Sequence, residues 1–260
     1  MRDLADWIGR TDEAEDVLTP GLAERFAATL DPWLAPARED EAPGMIHWCL
    51  ASPSTATDAL RPDGHPRATA LLPEAPLPRR MWVGGEVVTH APLRIGDRVR
   101  RHSAIASVTP KQGRSGAMIF ISIDHRLTRD GSLLIEERQD LVYREAATAT
   151  AATPAPAPDA DDPVSATLLF RYSALTFNSH RIHYDEPYAR EVEGYPGLVV
   201  QGPLQATLLY HYAAKQNGTP PARFAYRAVA PLILGNGIRI ASDPLEISDA
   251  SGCVTMTAQT

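Results

Sequence analysis

The chain has 260 residues, of which 44% are hydrophobic, and its formal net charge is −7 at pH 7. This length allows one large domain or two of ordinary size, and the negative charge argues against nonspecific binding of nucleic acid. No apolar run is long enough to span a membrane, and the polar N-terminal segment MRDLADWIGR lacks the apolar core of a signal peptide. The two cysteines, Cys49 and Cys253, lie far apart and lack metal-site spacing. We therefore expect a cytoplasmic protein with no disulfide framework and no zinc site.

The first 80 residues combine helical and irregular patterns. Residues 3–35 are predicted to form two helical pieces, with Thr11 as a candidate N-cap and Pro20 as a boundary. The chain is then rich in proline, and only the apolar run at 45–51 is typical of a strand. His65 lies among turn residues and is interpreted as a loop histidine rather than a ligand.

From Met81 onwards the pattern is typical of β-structure. The predicted strands cover residues 82–90, 98–111, 116–128 and 132–145. Short turn sequences between them, such as Asp130-Gly131, predict antiparallel hairpins. Residues 146–163 then contain mostly alanine, proline and aspartate with no large apolar side chain, and are predicted to be a linker.

The sequence after the linker predicts a second unit with a similar mixture of elements. The expected elements are a strand at 165–176, a short helix near 187–192, a longer helix after Gly202, and strands at 223–233, 237–243, 244–249 and 253–259. Residues 1–145 and 164–260 thus each combine helix with antiparallel strands. This favours a duplicated α+β unit, with the two sheets joined into one.

Polar side chains are concentrated between Asn178 and Tyr184. The segment FNSHRIHYD places an asparagine, two histidines, an arginine and a tyrosine there, and Gly202-Pro203 later opens an apolar helix. Acyl-thioester chemistry needs a group that moves a proton and backbone N–H groups that hold the charge developing on a carbonyl oxygen. A lone histidine is usually structural, whereas a cluster of this density favours an enzyme site.

The same segments carry a resemblance to a known family. HRIHYDEPYA (180–189) followed by GYPGLVVQGPLQATLL (194–209) resembles the hydratase signature of MaoC-like enoyl-thioester hydratases. FNSHRIHYD is more similar to the branch with hydroxyacyl-thioester dehydratase type 2, mesaconyl-C4-CoA hydratase and itaconyl-CoA hydratase. PLPRRMWVGGEVVTHAPLRIGDRV and EERQDLVYRE agree with that branch. The resemblance implies a double hotdog fold, with a non-catalytic N-terminal half at 1–145 that lacks the polar cluster and a C-terminal half at 164–260 that carries the motif.

The resemblance also implies roles for two residues of the polar cluster. His183 matches the catalytic histidine of the family, and its ordinary pKa near neutrality suits an acid/base. Asn178 stands where the wider family has a catalytic aspartate. Because an amide is not a general base, Asn178 is expected to orient a water molecule or a carbonyl group instead.

Gly202 is the expected oxyanion donor. It precedes Pro203, which suits the first turn of a helix, and its N–H can point at a thioester oxygen beside the positive end of the helix dipole. The alternative is an ordinary helix start. Gln201 is a candidate second donor, and His180 is a candidate hydrogen-bonding partner within the substrate site.

Arg181 is the expected determinant of the substrate class. If the segment is extended, Arg181 and His183 lie on the same face, and the guanidinium can bind the free carboxylate of a dicarboxylic acyl group. The alternative is a surface ion pair with Asp185 or Glu186. Arg79-Arg80 forms a basic patch that is either a solvated face or a landing surface for the phosphates of CoA.

The sequence thus predicts reversible hydration of a 2-enoyl-CoA, with a short dicarboxylic acyl group such as mesaconyl or itaconyl favoured. No metal or redox cofactor is expected, because CoA enters as part of the substrate. A thioesterase and a non-catalytic acyl-thioester binding protein are the alternatives. The acyl group, the choice between CoA and an acyl carrier protein, and assembly into a homodimer stay open at this stage.

Overall fold

A computed structural model describes residues 4–38, 40–113, 116–146, 155–156 and 163–260. The predicted linker at 146–163 falls largely outside these residues, so the division of the chain into two domains stays a prediction. Within the described residues, no helix combines the length and the apolar character needed to cross a membrane.

The described part of the chain contains strands and helices in nearly the predicted order. The helices are α1 (Pro20–Leu30), α2 (Ala166–Leu175), α3 (Glu186–Glu191) and α4 (Gly202–Asn217). The strands are β1 (Thr11–Val17), β2 (Arg79–Thr89), β3 (Arg98–Gly113), β4 (Gly116–Arg129), β5 (Ser132–Arg144), β6 (Arg223–Ala228), β7 (Arg239–Ser242), β8 (Leu245–Ser248) and β9 (Val254–Gln259). Single turns of 3-10 helix occur at Leu4–Trp7, Ile46–Cys49, Thr57–Ala59 and Arg181–His183.

All the strands belong to one antiparallel sheet of nine strands, in the order β1-β3-β4-β5-β2-β6-β9-β8-β7. The five strands before the predicted linker lie side by side, and so do the four strands after it. The two groups meet where β2 pairs with β6, in the register from Gly84↔Arg227 to Val88↔Arg223. Hairpins join β3 to β4, β4 to β5, β7 to β8 and β8 to β9, as the short turn sequences predict, whereas β2 lies beside β5 and β6.

Helix α4 is the centre of the core. Ten of its residues are buried, because the sheet and the other helices cover it on most sides. Its Leu204, Leu208 and Leu209 belong to the same hydrophobic cluster as Phe224 of β6 and Phe26 of α1. A helix that is apolar nearly all round requires such burial, which confirms the predicted wrapping of a sheet around this helix.

The two longest helices of the fold begin in different ways. Helix α1 begins at Pro20, and the Thr19 side chain caps it by accepting a hydrogen bond from the Leu22 N–H at 3.1 Å. Helix α4 begins at Gly202 after Gln201, whose side chain makes no capping bond. The first turn of α4 is therefore left with unsatisfied N–H groups.

Thr11–Val17 forms an edge strand and not the predicted helix with Thr11 as its N-cap. Glu15 of this strand accepts hydrogen bonds from Nε and Nη2 of Arg100 on β3, at 3.1 and 2.7 Å. Opposite charges across a strand pair stabilise the pairing, so an acidic strand is held by a basic one. The prediction failed because these cross-strand partners are distant in the sequence. The boundary at Pro20 is confirmed.

Two predicted strands are helical. The apolar run at 45–51 contains the 3-10 helix Ile46–Cys49. The segment at 165–176 forms α2, with Ser165 as its N-cap accepting from the Leu168 N–H at 3.2 Å. Its apolar residues have helical spacing, and those buried are Leu168, Leu169 and Tyr172.

Candidate active site

A cavity of about 490 Å³ lies beside the start of α4. Its walls come from the loop at 60–66, from β2, from the polar loop at 178–183 and from the first turn of α4. The cavity is thus built from segments on both sides of the predicted linker. Among the six residues expected at the site, Asn178, His180, His183 and Gly202 line it, whereas Arg181 and Gln201 do not.

His183 has the geometry of a general base. It ends the 3-10 turn Arg181–His183 and is only 7% exposed. Its Nδ1 lies 2.7 Å from the carbonyl oxygen of Val199, and a carbonyl only accepts, so Nδ1 carries the proton. Nε2 is therefore the basic nitrogen. Burial lowers the pKa of His183 to about 4, which keeps the imidazole neutral at pH 7.

His180 and His65 extend a row of rings away from His183. The His180 ring stands edge-on to His183 with centroids 5.3 Å apart, and its centroid lies 4.0 Å from that of His65, with the two ring planes tilted by 37°. Asp63 ends the row, because its Oδ2 lies 3.2 Å from His65 Nδ1. Burial, then the positive charge of Arg80 beside His65, lowers the pKa of His65 well below its ordinary value. Burial and the neighbouring histidines do the same to the pKa of His180.

The loop that carries Asp63 and His65 is fixed directly to the polar loop. Ser179 donates a hydrogen bond to the carbonyl of Gly64, and the Arg181 N–H donates to the carbonyl of Asp63 at 2.9 Å. A Cβ on Gly64 would lie 1.8 Å from the carbonyl oxygen of Ser179, and its φ is +89°. Only glycine fits this contact.

These contacts bear on two expectations. His65 lies in a loop as expected, and it is a buried residue that lines the cavity. Asp63 and His65 add polar groups from before the linker to the cluster at 178–184, and the non-catalytic role of the N-terminal half stays a prediction. Only the turn signal Asp63-Gly64 marks this loop in the sequence, and nothing there links it to a segment 115 residues away.

Asp63, His65 and His180 are also the described group whose side chains could hold a metal ion, since their ligand atoms all lie within 4.8 Å of one another. A tetrahedral zinc ion would bring its nitrogen and oxygen ligands to about 3.3 Å from one another. In the structure, His65 contacts Asp63 through Nδ1, and its ring contacts the ring of His180 in a tilted arrangement. The expectation of a site without metal stays a prediction.

Asn178 lies between the polar loop and α2. Its Oδ1 accepts a hydrogen bond from the backbone N–H of His180 at 3.1 Å, and its backbone N–H donates to the carbonyl of Ser173 at 2.8 Å. The first bond holds the side chain at the cavity wall, and the second holds the backbone. None of the hydrogen bonds in the described part of the chain uses Nδ2, so that group remains available to a bound water molecule.

Gly202 occupies the position of an oxyanion donor. It is the first residue of α4 and lines the cavity, and its N–H donates to no acceptor among the described residues. A Cβ there would lie 2.6 Å from Cε3 of Trp82, so the indole ring closes over this backbone. The free N–H and the helix dipole both favour a developing negative charge at this point.

Gln201 is not a second donor to the cavity. Its side chain is fully buried, and its Nε2 donates to the Leu169 carbonyl at 2.8 Å and to Ser173 Oγ at 2.9 Å. Both amide protons therefore bind α2. The structure corrects this expectation: Gln201 holds α4 against α2 and does not face the substrate space.

Arg181 does not share a face with His183. The segment is a 3-10 turn, in which residues two apart point in different directions. Its Nε and Nη2 bind Asp185 Oδ2 at 2.9 and 2.7 Å, and Nη1 donates to the Pro62 carbonyl at 3.0 Å. The expected contact with a substrate carboxylate is thus wrong, and the alternative of a surface ion pair is confirmed.

A second cavity of about 220 Å³ adjoins the first, and Arg80, Trp82 and Asn178 are among the residues that line both. It contains Glu137, which accepts from Trp48 Nε1 at 2.8 Å and lies 3.3 Å from His47 Nε2. Burial alone would raise the pKa of Glu137, but contacts with His47 and other neighbours lower it to about 2. The sequence did not predict this cluster, because its members are far apart in the chain and no local motif joins them.

Comparisons with known proteins show which family the chain resembles over most of its length. The family model of hydroxyacyl-thioester dehydratase type 2 matches residues 44–234. Mesaconyl-C(4)-CoA hydratase of Chloroflexus aurantiacus is 41% identical over 270 residues, which cover 98% of this chain and 96% of that protein. The mitochondrial hydroxyacyl-thioester dehydratase type 2 of Schizosaccharomyces pombe is 40% identical over 76 residues, which cover 28% of this chain and 25% of that protein.

Solved structures are similar in fold at low sequence identity. HtdX of Mycobacterium tuberculosis aligns over 96% of this chain and 98% of its own, with a TM-score of 0.68 and 16% identity. A conserved hypothetical protein of the same organism with a double hotdog fold aligns over 96% and 94%, with a TM-score of 0.55 and 15% identity. These likenesses confirm the expected α+β double hotdog fold. The family model and the Chloroflexus relative establish that the chain belongs to the hydroxyacyl-thioester dehydratase type 2 family.

Proposed function

We propose that this chain catalyses the reversible hydration of a 2-enoyl-CoA thioester, and that the preferred acyl group is short and carries a free carboxylate. One observation carries the reaction type: a neutral histidine with one basic nitrogen and a free helix-terminal N–H line the same cavity, at His183 and Gly202. The name of the Chloroflexus relative supports the carboxylate-bearing acyl group. The cytoplasmic location, the CoA carrier, the homodimer and the absence of a metal or redox cofactor belong to the same proposal.

In the hydration direction, the thioester carbonyl accepts a hydrogen bond from the Gly202 N–H. Nε2 of His183 takes a proton from a water molecule held by Asn178, and the water oxygen forms a bond to the β-carbon. The electron pair of the double bond moves to the α-carbon and onto the carbonyl oxygen, where the Gly202 N–H stabilises it. The imidazolium then returns the proton to the α-carbon, which leaves a 3-hydroxyacyl thioester and neutral His183.

The row of rings supports this proton transfer. A buried imidazolium requires a compensating anion, and position 178 holds an amide instead of a carboxylate. Asp63 supplies a negative charge from the other side of the linker, at the far end of the row through His65 and His180. We therefore propose that Asp63 takes over part of the electrostatic role that an aspartate at 178 would have.

Thioester hydrolysis is the competing reaction on this scaffold. It requires a carboxylate that activates water against the carbonyl carbon. Position 178 holds an amide, and the cavity carboxylates of Asp63 and Glu193 are held by His65 and Arg79. A binding protein without catalysis would have no use for a basic nitrogen next to a free N–H. Both alternatives are separated from hydration by the products that they give.

The test follows the enoyl-thioester absorbance and the release of free thiol in the same sample. Two substrates are used: crotonyl-CoA and the CoA monothioester of fumarate, which replaces the terminal methyl group by a carboxylate. Hydration removes the absorbance without releasing thiol, and this is the expected result. Thiol release at the rate of absorbance loss would show a thioesterase, and no change with either substrate would reject the proposed reaction.

A further inference from the structure

Three arginines line the main cavity, and two of them are bound to the protein. Arg79 forms an ion pair with Glu193 and donates to its carbonyl at 2.9 Å. Arg101 donates from Nη2 to the carbonyl of Ala51 at 2.5 Å. The third, Arg80, is half-buried, and in the described part of the chain its guanidinium makes neither a hydrogen bond nor an ion pair.

None of the carboxylates in the described part of the chain forms an ion pair with Arg80. Glu137 shares the second cavity with Arg80, but its carboxylate is held by Trp48, Gln139 and His47. His65 and His180 are neutral, because burial and nearby positive charge, including that of Arg80, keep their pKa values low. Asp63 lines the same space, but its Oδ1 accepts from the His65 N–H at 2.9 Å and its Oδ2 lies 3.2 Å from His65 Nδ1. A guanidinium removed from water without a partner is unfavourable, and a carboxylate is the partner that its planar fork binds best.

Arg80 lies on the same wall of the cavity as the expected oxyanion donor. Arg80 and Trp82 are two residues apart on β2, so they project on the same side of the strand. The Trp82 ring contacts Gly202, where the proposed mechanism places the thioester carbonyl. Arg80, Trp82 and Gly202 all line the main cavity. The two ends of a short diacid thioester would therefore each have a partner in the same cavity.

We propose that Arg80 binds the free carboxylate of the acyl group while Gly202 binds the thioester carbonyl. This proposal rests on the function proposed above and names the residue that gives it its substrate class. Arg80 takes the place that the sequence analysis gave to Arg181. The competing use of Arg80 is a contact with a phosphate of CoA, which every CoA substrate would share.

The experiment measures kcat/KM of Arg80→Met with the fumarate monothioester and with crotonyl-CoA. Methionine keeps the apolar stem of the side chain and removes the charged fork. Loss of a hydrogen bond to a charged group costs roughly ten- to hundred-fold. We expect that loss with the fumarate thioester and a change of less than about twofold with crotonyl-CoA. Arg80→Lys should recover part of the loss, because it restores the charge without the fork.

Arg181→Met is the matched control, because it removes a neighbouring guanidinium that does not face the cavity. It should leave the ratio of the two kcat/KM values unchanged. Equal losses on both substrates in Arg80→Met, together with weaker inhibition by free CoA, would assign Arg80 to a CoA phosphate and overturn the proposal. An unchanged ratio in a folded Arg80→Met variant would also overturn it while leaving the hydration reaction intact. Failure of the wild-type protein to hydrate either thioester would instead reject the function.

Discussion

Helices α1 and α4 begin with similar sequences and have opposite surroundings. Pro20-Gly21 opens α1 and Gly202-Pro203 opens α4, so each first turn contains one proline and one glycine. In α1 the Thr19 side chain satisfies a backbone N–H of the first turn, and the N-terminus faces solvent. In α4 the cap is missing, and the first turn lines a cavity beside a neutral histidine.

A helix N-terminus binds a ligand most strongly when its N–H groups are uncapped and face an enclosed space. Proline and glycine alone mark only a helix start. What distinguishes α4 is that its N–H groups lack a side-chain cap and are removed from bulk water, where a charge on a ligand is stabilised more strongly. The predictions below alter one of the two helix starts, or the histidines beside it, and leave the other intact.

The largest effect is expected from His183→Ala. A free N–H at α4 polarises a carbonyl, but without the basic Nε2 no proton is moved. Removing a positioned general acid/base costs about 10²–10⁴-fold in rate. The measurement is kcat for enoyl-thioester hydration, with thermal unfolding as a check on the fold. His90→Ala, at an exposed histidine 3.0 Å from Glu136, is the control and should retain full activity. Wild-type turnover in His183→Ala would transfer the role to His180.

The paired variants Gly202→Ala and Gly21→Ala test the two helix starts directly. A Cβ at 202 would lie 2.6 Å from Trp82, so the ring or the backbone must shift and the N–H moves off its target. Loss of an oxyanion donor costs about 10²–10³-fold in kcat. A Cβ at 21 meets only the flexible end of Arg25 at 3.3 Å, so Gly21→Ala should leave kcat unchanged. Similar kcat values for both variants would remove the functional difference between the helices.

The stability of the fold is expected to fall as the pH decreases. His183 lines the cavity beside the start of α4 and His211 lies in the second half of that helix, and burial lowers the pKa of each to about 4 from 6.5. Between pH 6.5 and 4 the unfolded chain binds more protons than the folded one, so stability is lost as the pH falls through this range and is flat above it. Each group contributes about 1.4 kcal/mol per pH unit within the range. Urea unfolding at pH 7.5, 6 and 5 measures this, and a constant free energy of unfolding would contradict it.

The smallest effect is expected from Thr19→Ala at the capped helix. Loss of the bond to the Leu22 N–H should cost about 1 kcal/mol of stability. Hydration activity per folded molecule should not change, because this helix start lies outside the cavity. Thr19→Ser retains the hydroxyl group and should restore the stability. A loss of kcat in Thr19→Ala without a loss of stability would show that α1 also serves the site.

The sequence predicted those parts of the fold in which local pattern and burial agree. The long strands β3 and β4 alternate clearly, and α4 has an apolar surface and a proline in its first turn. The acidic strand β1 was missed because arginines on β3 stabilise it, and no pattern within β1 shows them. Helix α2 was assigned as a strand although its apolar residues have helical spacing and Ser165 suits an N-cap, so local signals for this helix were present and were misread.

The site was predictable where one local motif specifies it and not where packing does. Asn178, His183 and Gly202 stand in one motif, and all three reach the cavity. The orientation of Arg181 depends on a 3-10 turn, and that of Gln201 on a buried contact with α2, so neither could be derived from spacing. The roles of the residues that do reach the cavity still depend on the experiments above.

The contact between Gly64 and Ser179 makes the site a joint product of two distant stretches of chain. The Ser179 carbonyl fills the space that any side chain at 64 would need, so the loops meet in a single alignment. Neither stretch alone contains the row from Asp63 to His183. If the two segments were expressed as separate polypeptides, full turnover would appear only on their reassociation, as in a split reporter enzyme. Hydration activity would then report that the two parts of the sheet have paired.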